Sequence, residues 1–390
     1  MKVAINAWFW DRPAVGSGQY LKYLLPALLE ADESLEVTLV SPKPFDPPPE
    51  AAQPRLNIHL AQTPFANQSS NLSKVWFEQI TFPQSCKKLG VDLAHVPYFG
   101  SPLWLPVPTV VTVHDVIPMV LPEYRGDIRV RLYTSLVAAA AAQANIILAD
   151  SEASKRDILA KLKTPAHKVR VIYLAPAPHF QPAQSWDQIV QIKKKYNLPE
   201  NFVLYLGGYD VRKNVSALLH AFTWVSSTLH EDYPLVLAGE LPKEDTSLFP
   251  DPLRIARELG IEQYIVTPGP IAEEDKPLVY AAAKVFVFPS RYEGFGLPVL
   301  EAMACGTPVV TTNAASIPEL AGPAAFQLEP DDTKHIAAPI LRLCLEEESN
   351  DELAERGFQQ VEKFNWPKTA LETLQAYRDV LRLKQPEMIR

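Results

Sequence analysis

The segment PSRYEGFGLPVLEAMACGTPVVTT (289–312) carries the residues best suited to chemistry. A strand-like run ends at Pro289, a turn holding Gly294 and Gly296 follows, and a helix is predicted from Leu297 with Pro298 in its first turn, where a missing N–H costs nothing. The amides of Phe295, Gly296 and Leu297 would then point out of a helix N-terminus, a ready site for a phosphate. Glu293 and Glu301, in a Glu-x7-Glu spacing, would repel a phosphate that they touched. They suit the hydroxyls of a ribose or hexose, to which a carboxylate offers only acceptors. By spacing alone, a capped helix with two solvated glutamates accounts for the same residues. A second segment, YLGGYDVRKNVSALLHAF (205–222), ends a strand in Gly207–Gly208 and sets Arg212 and Lys213 just before a helix opened by Asn214. Arginine offers a fork for phosphate oxygens and lysine a point charge, so the pair reads as a diphosphate clamp or as two solvated cations.

Three further groups lie at the ends of apolar runs. His114 and Asp115 follow TVVTV, where an α/β site gathers its polar groups, although a lone histidine is more often structural. Asp150, Ser151 and Ser154 follow NIILA and read mainly as caps of the next helix. Gly16 and Gly18 in DRPAVGSGQYLKYLL (11–25) would let a ligand approach the backbone. Without a third glycine or a ribose-binding acid at the right distance, they are no dinucleotide fingerprint.

The elements that must position these residues are predicted from periodicity. Runs at 3–8, 37–40, 92–96, 109–113, 145–149 and 169–172 read as strands, as do 202–206, 234–239, 264–267, 285–289 and 307–312. Between them lie helical stretches near 17–30, 72–89, 128–144, 152–162, 187–196, 214–229, 252–259, 274–284 and 297–304, and only helical patterns remain after residue 330. Strands buried on both faces and alternating with helices predict parallel, doubly wound α/β sheets. The series breaks at LAPAPHFQPAQS (174–185), which reads as a linker between domains at 1–175 and 185–365. Ligands of such paired folds would be expected between the carboxyl ends of the two sheets.

At 390 residues, two domains of ordinary size fit the length. An apolar share of 47% and a charged share of 21% exclude a disordered chain. The sequence holds 37 Pro and only 15 Gly, and the prolines crowd the linker and the N-terminal loops. A net charge of -8 argues against a nucleic acid partner. Cys86, Cys305 and Cys344 are scattered and odd in number, so neither a disulfide framework nor a cysteine metal site is expected. With no signal-like leader and no run near ~18 apolar residues, the expectation is a cytoplasmic protein, with peripheral attachment to the inner face of a membrane left open.

With these residues in place, the sequence strongly resembles the family 4, group 1 glycosyltransferases, retaining nucleotide-sugar-dependent enzymes of the GT-B architecture. EGFGLPVLEAMACGTPVV is among the most specific motifs of that family, YLGGYDVRKNVSALLHAF resembles its phosphate-binding partner, and VTVHDVIP and ADSEASKRDIL are similar to its mannosyltransferase-like members. The resemblance implies two Rossmann-like domains facing a central cleft, with a last helix within 366–390 returning to the first. It assigns Arg212 and Lys213 to the donor diphosphate, Glu301 to the ribose, and Glu293 to the donor sugar or its neighbourhood. It gives phosphate or sugar contacts to Phe295, Gly296 and Leu297, with Gly208 lining the donor site, and sets Gly16 and Gly18 toward the donor phosphate and His114 beside the transferred sugar. The base is expected near TPGPIAEEDK (267–276), over Ile271. Implied partners are a nucleoside diphosphate sugar, GDP-mannose ahead of UDP- or ADP-sugars, and a glycan or lipid-linked acceptor. No metal or other cofactor is expected. An epimerase or phosphorylase of the same architecture, or a non-catalytic sugar-nucleotide-binding subunit, would share much of this pattern. The segments PKPFDPPPE (42–50) and PFANQSSNLSKVWFEQ (64–79) match no motif, which leaves the acceptor unassigned.

Overall fold

The computed structural model of the protein describes residues 1–12, 16–65 and 69–382. Part of the first glycine turn (13–15), part of the unassigned 64–79 segment (66–68) and the last eight residues of the expected C-terminal helix (383–390) lie outside the described residues. The chain forms two compact units, Met1–Leu174 with the segment from Trp366, and Ala175–Asn365.

The first unit is built on seven parallel strands: β1 (Lys2–Asn6), β2 (Glu36–Ser41), β3 (Leu56–Leu60), β4 (Leu93–Val96), β5 (Thr109–Val113), β6 (Ile146–Ala149) and β7 (Val169–Val171). Their order is β3-β2-β1-β4-β5-β6-β7. Every residue of β4, β5 and β6 is buried, which is why these strands read as continuous apolar runs rather than as alternating ones. The helix Trp366–Arg382 belongs to this unit and packs on the helix Gly16–Ala31. Its Tyr377 hydroxyl meets His95 Nδ1 at 2.7 Å, its Thr369 hydroxyl donates to the Tyr173 carbonyl, and Arg378 pairs with Asp32 at 2.8 Å.

The second unit has six parallel strands: β8 (Val203–Leu206), β9 (Leu235–Ala238), β10 (Ile265–Gly269), β11 (Val285–Phe288), β12 (Val309–Thr312) and β13 (Ala325–Leu328). Their order, β10-β9-β8-β11-β12-β13, repeats the plan of the first sheet. In each sheet the winding direction reverses beside the first strand, between β1 and β4 and between β8 and β11, with Val285 in register with Val203 at the second reversal. Loops leaving the carboxyl ends of those two strands diverge, and ligands of doubly wound sheets bind at such reversals.

The structure departs from the sequence pattern in three places. The edge strands β3 and β13 were not expected, because their half-exposed residues lack the apolar run of a central strand. The single helix expected over 72–89 is a helix at Ser70–Trp76, a π-helical turn at Phe77–Thr81 and a helix at Phe82–Leu89, ended by Gly90 at φ 60°. The wider turn carries Glu78 to a fully buried position beneath Tyr133, whose hydroxyl donates to the carboxylate.

Candidate active site

The loop leaving β8 passes through Gly207 and Gly208, makes one tight turn at Val211–Lys213 and enters the helix Val215–Leu229 through Asn214 at φ 57°. The Asn214 side chain donates to the carbonyls of Pro289 and Pro330, at 3.1 and 2.6 Å, and the Arg291 amide donates to the Arg212 carbonyl at 2.8 Å. The Pro289 and Arg291 bonds fasten the turn after β8 to the turn after β11, across the point where the sheet reverses, and the Pro330 bond ties it to the loop after β13. Arg212 Nη1 donates to the Tyr292 carbonyl at 3.0 Å and to Glu293 Oε2 at 2.6 Å, while Lys213 Nζ reaches Glu293 Oε1 at 2.7 Å. Arg212 Nε also lies 3.4 Å from Asp210, and Lys213 Nζ lies 5.0 Å over the Phe288 ring.

Glu293 is therefore a buried bridge between the two cations. Burial alone would raise its pKa, but the charges of Lys213 and Arg212 outweigh burial and hold the carboxylate below its usual range. Glu293 thus holds the Arg212 and Lys213 side chains in place.

The helix Leu297–Ala304 begins at Gly296, whose φ of 114° lies where an L-residue is strained. A Cβ there would also stand 2.8 Å from Ile317 Cδ1. Glu301, one turn inside, is buried and accepts a 3.1 Å hydrogen bond from Tyr280. Burial pushes its pKa up to about 7, with Lys276 pulling the other way and the negative Glu273 adding to the rise. Lys276 is itself paired with Glu273.

Of the residues expected in the donor site, Arg212, Lys213 and Glu293 are in direct contact. Gly208 lies on the same loop as the cations, and Phe295, Gly296, Leu297 and Glu301 continue from Glu293 into the helix. A Cβ on Gly208 would meet only Asp210 Oδ2, at 3.7 Å, so the space above it is open. Ile271 is half-buried just beyond β10, two strands from β8, and the adjoining Ala272 amide donates to Tyr196, whose hydroxyl donates to Asp275.

In the first unit, Gly16 and Gly18 open the helix Gly16–Ala31. A Cβ on Gly18 would lie 2.4 and 2.6 Å from the carbonyl oxygens of Arg12 and Phe9, so packing within this turn already demands glycine there. Gly16 has open space around its Cα. His114 leaves β5 with Nδ1 2.7 Å from Asp150 Oδ2 and Nε2 3.2 Å from the Pro97 carbonyl. Burial disfavours its charged form, but the Asp150 charge and hydrogen bond win and raise the pKa above its ordinary value. Contacts to both ring nitrogens, from Asp150 and from the Pro97 carbonyl, fix the orientation of the ring.

Ser151 caps the next helix through the Ser154 amide, whereas Asp150 holds the histidine. Asp150 and His114 end neighbouring strands, a signal that was present in the sequence. Tyr280, the partner of Glu301, gave no such signal, because it sits 21 residues away inside an apolar helix. Among the described residues, no group of three His, Cys, Asp or Glu side chains is arranged to hold a metal ion, and no helix is long and apolar enough to cross a membrane.

Comparison with known proteins meets this geometry. Residues 188–360 match the family model for glycosyl transferases group 1, and residues 15–175 match the model for glycosyltransferase family 4. O-antigen chain mannosyltransferase B of Escherichia coli is 36% identical over 286 residues, covering 72% of this chain and 74% of that protein. The serotype-specific mannosyltransferase WbdA of Escherichia coli is 31% identical over 284 residues, 72% of this chain, which spans about a third (34%) of WbdA. Sucrose-phosphate synthase from Thermosynechococcus elongatus shares the fold with a TM-score of 0.76 at 24% identity, covering 98% of this chain and 100% of that one. HepE of Anabaena, solved with UDP and glucose, gives 0.73 at 18% identity, covering 97% and 99%. Two doubly wound parallel sheets with these likenesses define a glycosyltransferase of the GT-B architecture. The chain belongs to family 4, group 1 of these enzymes, on its mannosyltransferase-like side.

Proposed function

We propose that the protein transfers mannose from GDP-mannose to a hydroxyl of a glycan or lipid-linked acceptor, with retention at the anomeric carbon and without a metal ion. The observation that carries this reading is the Arg212–Glu293–Lys213 bridge at the reversal of the second sheet. When the bond from the anomeric carbon to the diphosphate breaks, its electron pair moves onto a phosphate oxygen, and fixed cations facing that oxygen lower the barrier most. Lys213 has three N–H donors and spends one on Glu293, so it meets the leaving group without losing its anchor. Arg212 and the amides at the start of the helix Leu297–Ala304 complete the clamp. The acceptor hydroxyl would attack on the face the diphosphate leaves, passing its proton to the departing phosphate. Glu293, occupied by two cations, is not free to serve as nucleophile in this scheme. Glu301 would accept the ribose hydroxyls, Glu293 would border the sugar, and Ile271 would lie under the base. Mannose is favoured over glucose by the names of the similar Escherichia coli proteins.

The reading is tested by thermal shift with GDP, UDP and ADP, since a ligand that binds only the native state raises the melting temperature. GDP should give the largest shift, and a shift with UDP alone would replace the donor. Turnover should persist in EDTA. Complete loss on chelation, restored by manganese, would count against the clamp.

A further inference from the structure

Glu301 ends a long side chain with freedom to turn, so a single buried pose needs a partner to hold it. Tyr280, fully buried on the helix Lys276–Ala282, is that partner, its hydroxyl donating to Glu301 Oε2 at 3.1 Å. Its ring stands edge-on to Phe286, with centroids 5.1 Å apart, and lies tilted against Phe180 at 6.1 Å. The Tyr280 carbonyl accepts the Thr307 hydroxyl at 2.7 Å. Tyr280 is thus bonded twice to the segment 301–307, by its hydroxyl and by its peptide, and its ring is braced from two further directions. Lys276, which also attracts Glu301, is drawn instead to Glu273 at 2.5 Å. Phe180 lies in the segment 174–185 that the sequence sets apart as a linker, yet it is buried in the second unit. Its amide closes a tight turn on the Ala177 carbonyl at 3.0 Å.

We propose that Tyr280 is a positioning residue of the donor site, fixing Glu301 in the pose that reads the ribose diol, with Phe180 as the wedge behind its ring. The proposal rests on the assignment of Glu301 to the ribose. A carboxylate has about four lone-pair sites, of which the Tyr280 hydroxyl takes one and leaves the others for ligand hydroxyls. An acceptor held in place before binding gives its full worth to a hydroxyl, whereas one that must first be ordered spends part of it. The groups that bear on the charge of Glu301 are Tyr280, Lys276 and Glu273 from the segment 273–282, Lys213 from the loop after β8, and Cys305 just past its own helix. The Tyr280 hydrogen bond favours the charged form. Its removal therefore raises the pKa of Glu301 further, and the pH at which ribose binding sets in moves up with it.

Calorimetric titration of the full chain with GDP and with UDP, each beside its 2′,3′-dideoxy form, reads the ribose contact apart from the base and the diphosphate. The parent should prefer the ribose form by about tenfold or more, the worth of a hydrogen bond to a charged acceptor. Tyr280→Phe should reduce that preference to about twofold or less and shift the pH midpoint of ribonucleotide affinity upward. Its affinity for the dideoxy form should equal the parent's, which shows that the donor site is folded. Phe180→Leu should reduce the preference by a smaller factor. In a chain that already carries Glu301→Gln, Tyr280→Phe should change the preference no further, as expected of a residue that acts through the carboxylate. A Tyr280→Phe chain that keeps the parental preference overturns the proposal. So does one that loses affinity for both forms equally, since the tyrosine then serves the fold alone. An unchanged preference in Phe180→Leu overturns the role of the wedge. A parent with no preference overturns the proposal by another route, removing Glu301 from the ribose while leaving the Arg212 and Lys213 clamp standing.

Discussion

Glu293 and Glu301 stand eight positions apart, are both buried, and titrate in opposite directions. The difference lies in their partners: two cations within 2.7 Å of one carboxylate, and for the other a tyrosine hydroxyl with lysines too distant to offset desolvation. The folded chain thus holds the Glu301 proton more tightly than the unfolded chain does between the ordinary glutamate pKa of 4.5 and about 7. Stability falls as pH rises through that window, by on the order of 3 kcal/mol in total. If the carboxylate accepts donor hydroxyls, nucleotide affinity rises across the same window. Glu301→Gln should remove both effects, giving a higher melting temperature than the parent at pH 8 and a weaker nucleotide affinity that no longer changes with pH. Equal melting temperatures at pH 8 would mean that the burial cost is relieved elsewhere. Lys213→Ala leaves Glu293 its pair with Arg212, so the protein should stay folded while kcat falls by about a hundredfold or more. Near-normal turnover would remove Lys213 from the clamp. Each of these residues could be picked out from its type and its place after a strand. Their pairing could not, because Glu293 meets Arg212 and Lys213 across about 80 residues of chain, and only the register of β8 with β11 brings the two loops together.

Central strands were readable because burial on both faces makes them uniformly apolar, and the helices between them because one face is apolar. The edge strands β3 and β13 and the π turn around Glu78 were not. An edge strand is specified by the neighbour it pairs with, and a one-residue widening of a helix leaves the apolar pattern nearly unchanged. The glycines show the same division between local demand and ligand demand. At Gly296 the backbone sits at φ 114° and Ile317 leaves no room, so Gly296→Ala should cost about 1–3 kcal/mol and misplace the start of the helix Leu297–Ala304. At Gly208 the protein leaves space, so Gly208→Ala should change stability by less than about 0.5 kcal/mol. It should nonetheless weaken nucleotide binding, because only a ligand lying close to the backbone would meet the new methyl group. Paired urea melts and nucleotide titrations separate the two cases. A destabilised Gly208→Ala with unchanged affinity would show that this glycine serves the fold alone.

The two units are unequal in chain continuity, and that inequality has a thermodynamic consequence. Ala175–Asn365 is one continuous segment with its own core of Val203, Leu218, Phe222, Leu237, Val287 and their neighbours. The first unit closes only when the chain returns to it as the helix Trp366–Arg382, which buries Ala370, Leu374, Tyr377 and Val380 and gives His95 its Tyr377 partner. Without that helix, the helix Gly16–Ala31 loses its cover and His95 Nδ1 loses its Tyr377 partner. A chain of two cores need not melt as one cooperative step. Calorimetry of the intact protein should therefore resolve two transitions, of which nucleotide raises the one belonging to Ala175–Asn365. Ending the chain at Asn365 should abolish the other transition and expose apolar surface to a hydrophobic dye, while the nucleotide-sensitive transition remains. The segment 175–365 alone should fold and bind nucleotide but transfer no sugar. Should the chain ending at Asn365 keep both transitions, the last helix would be an addition to a first unit that is already complete, and the stability of that unit would lie in its sheet alone.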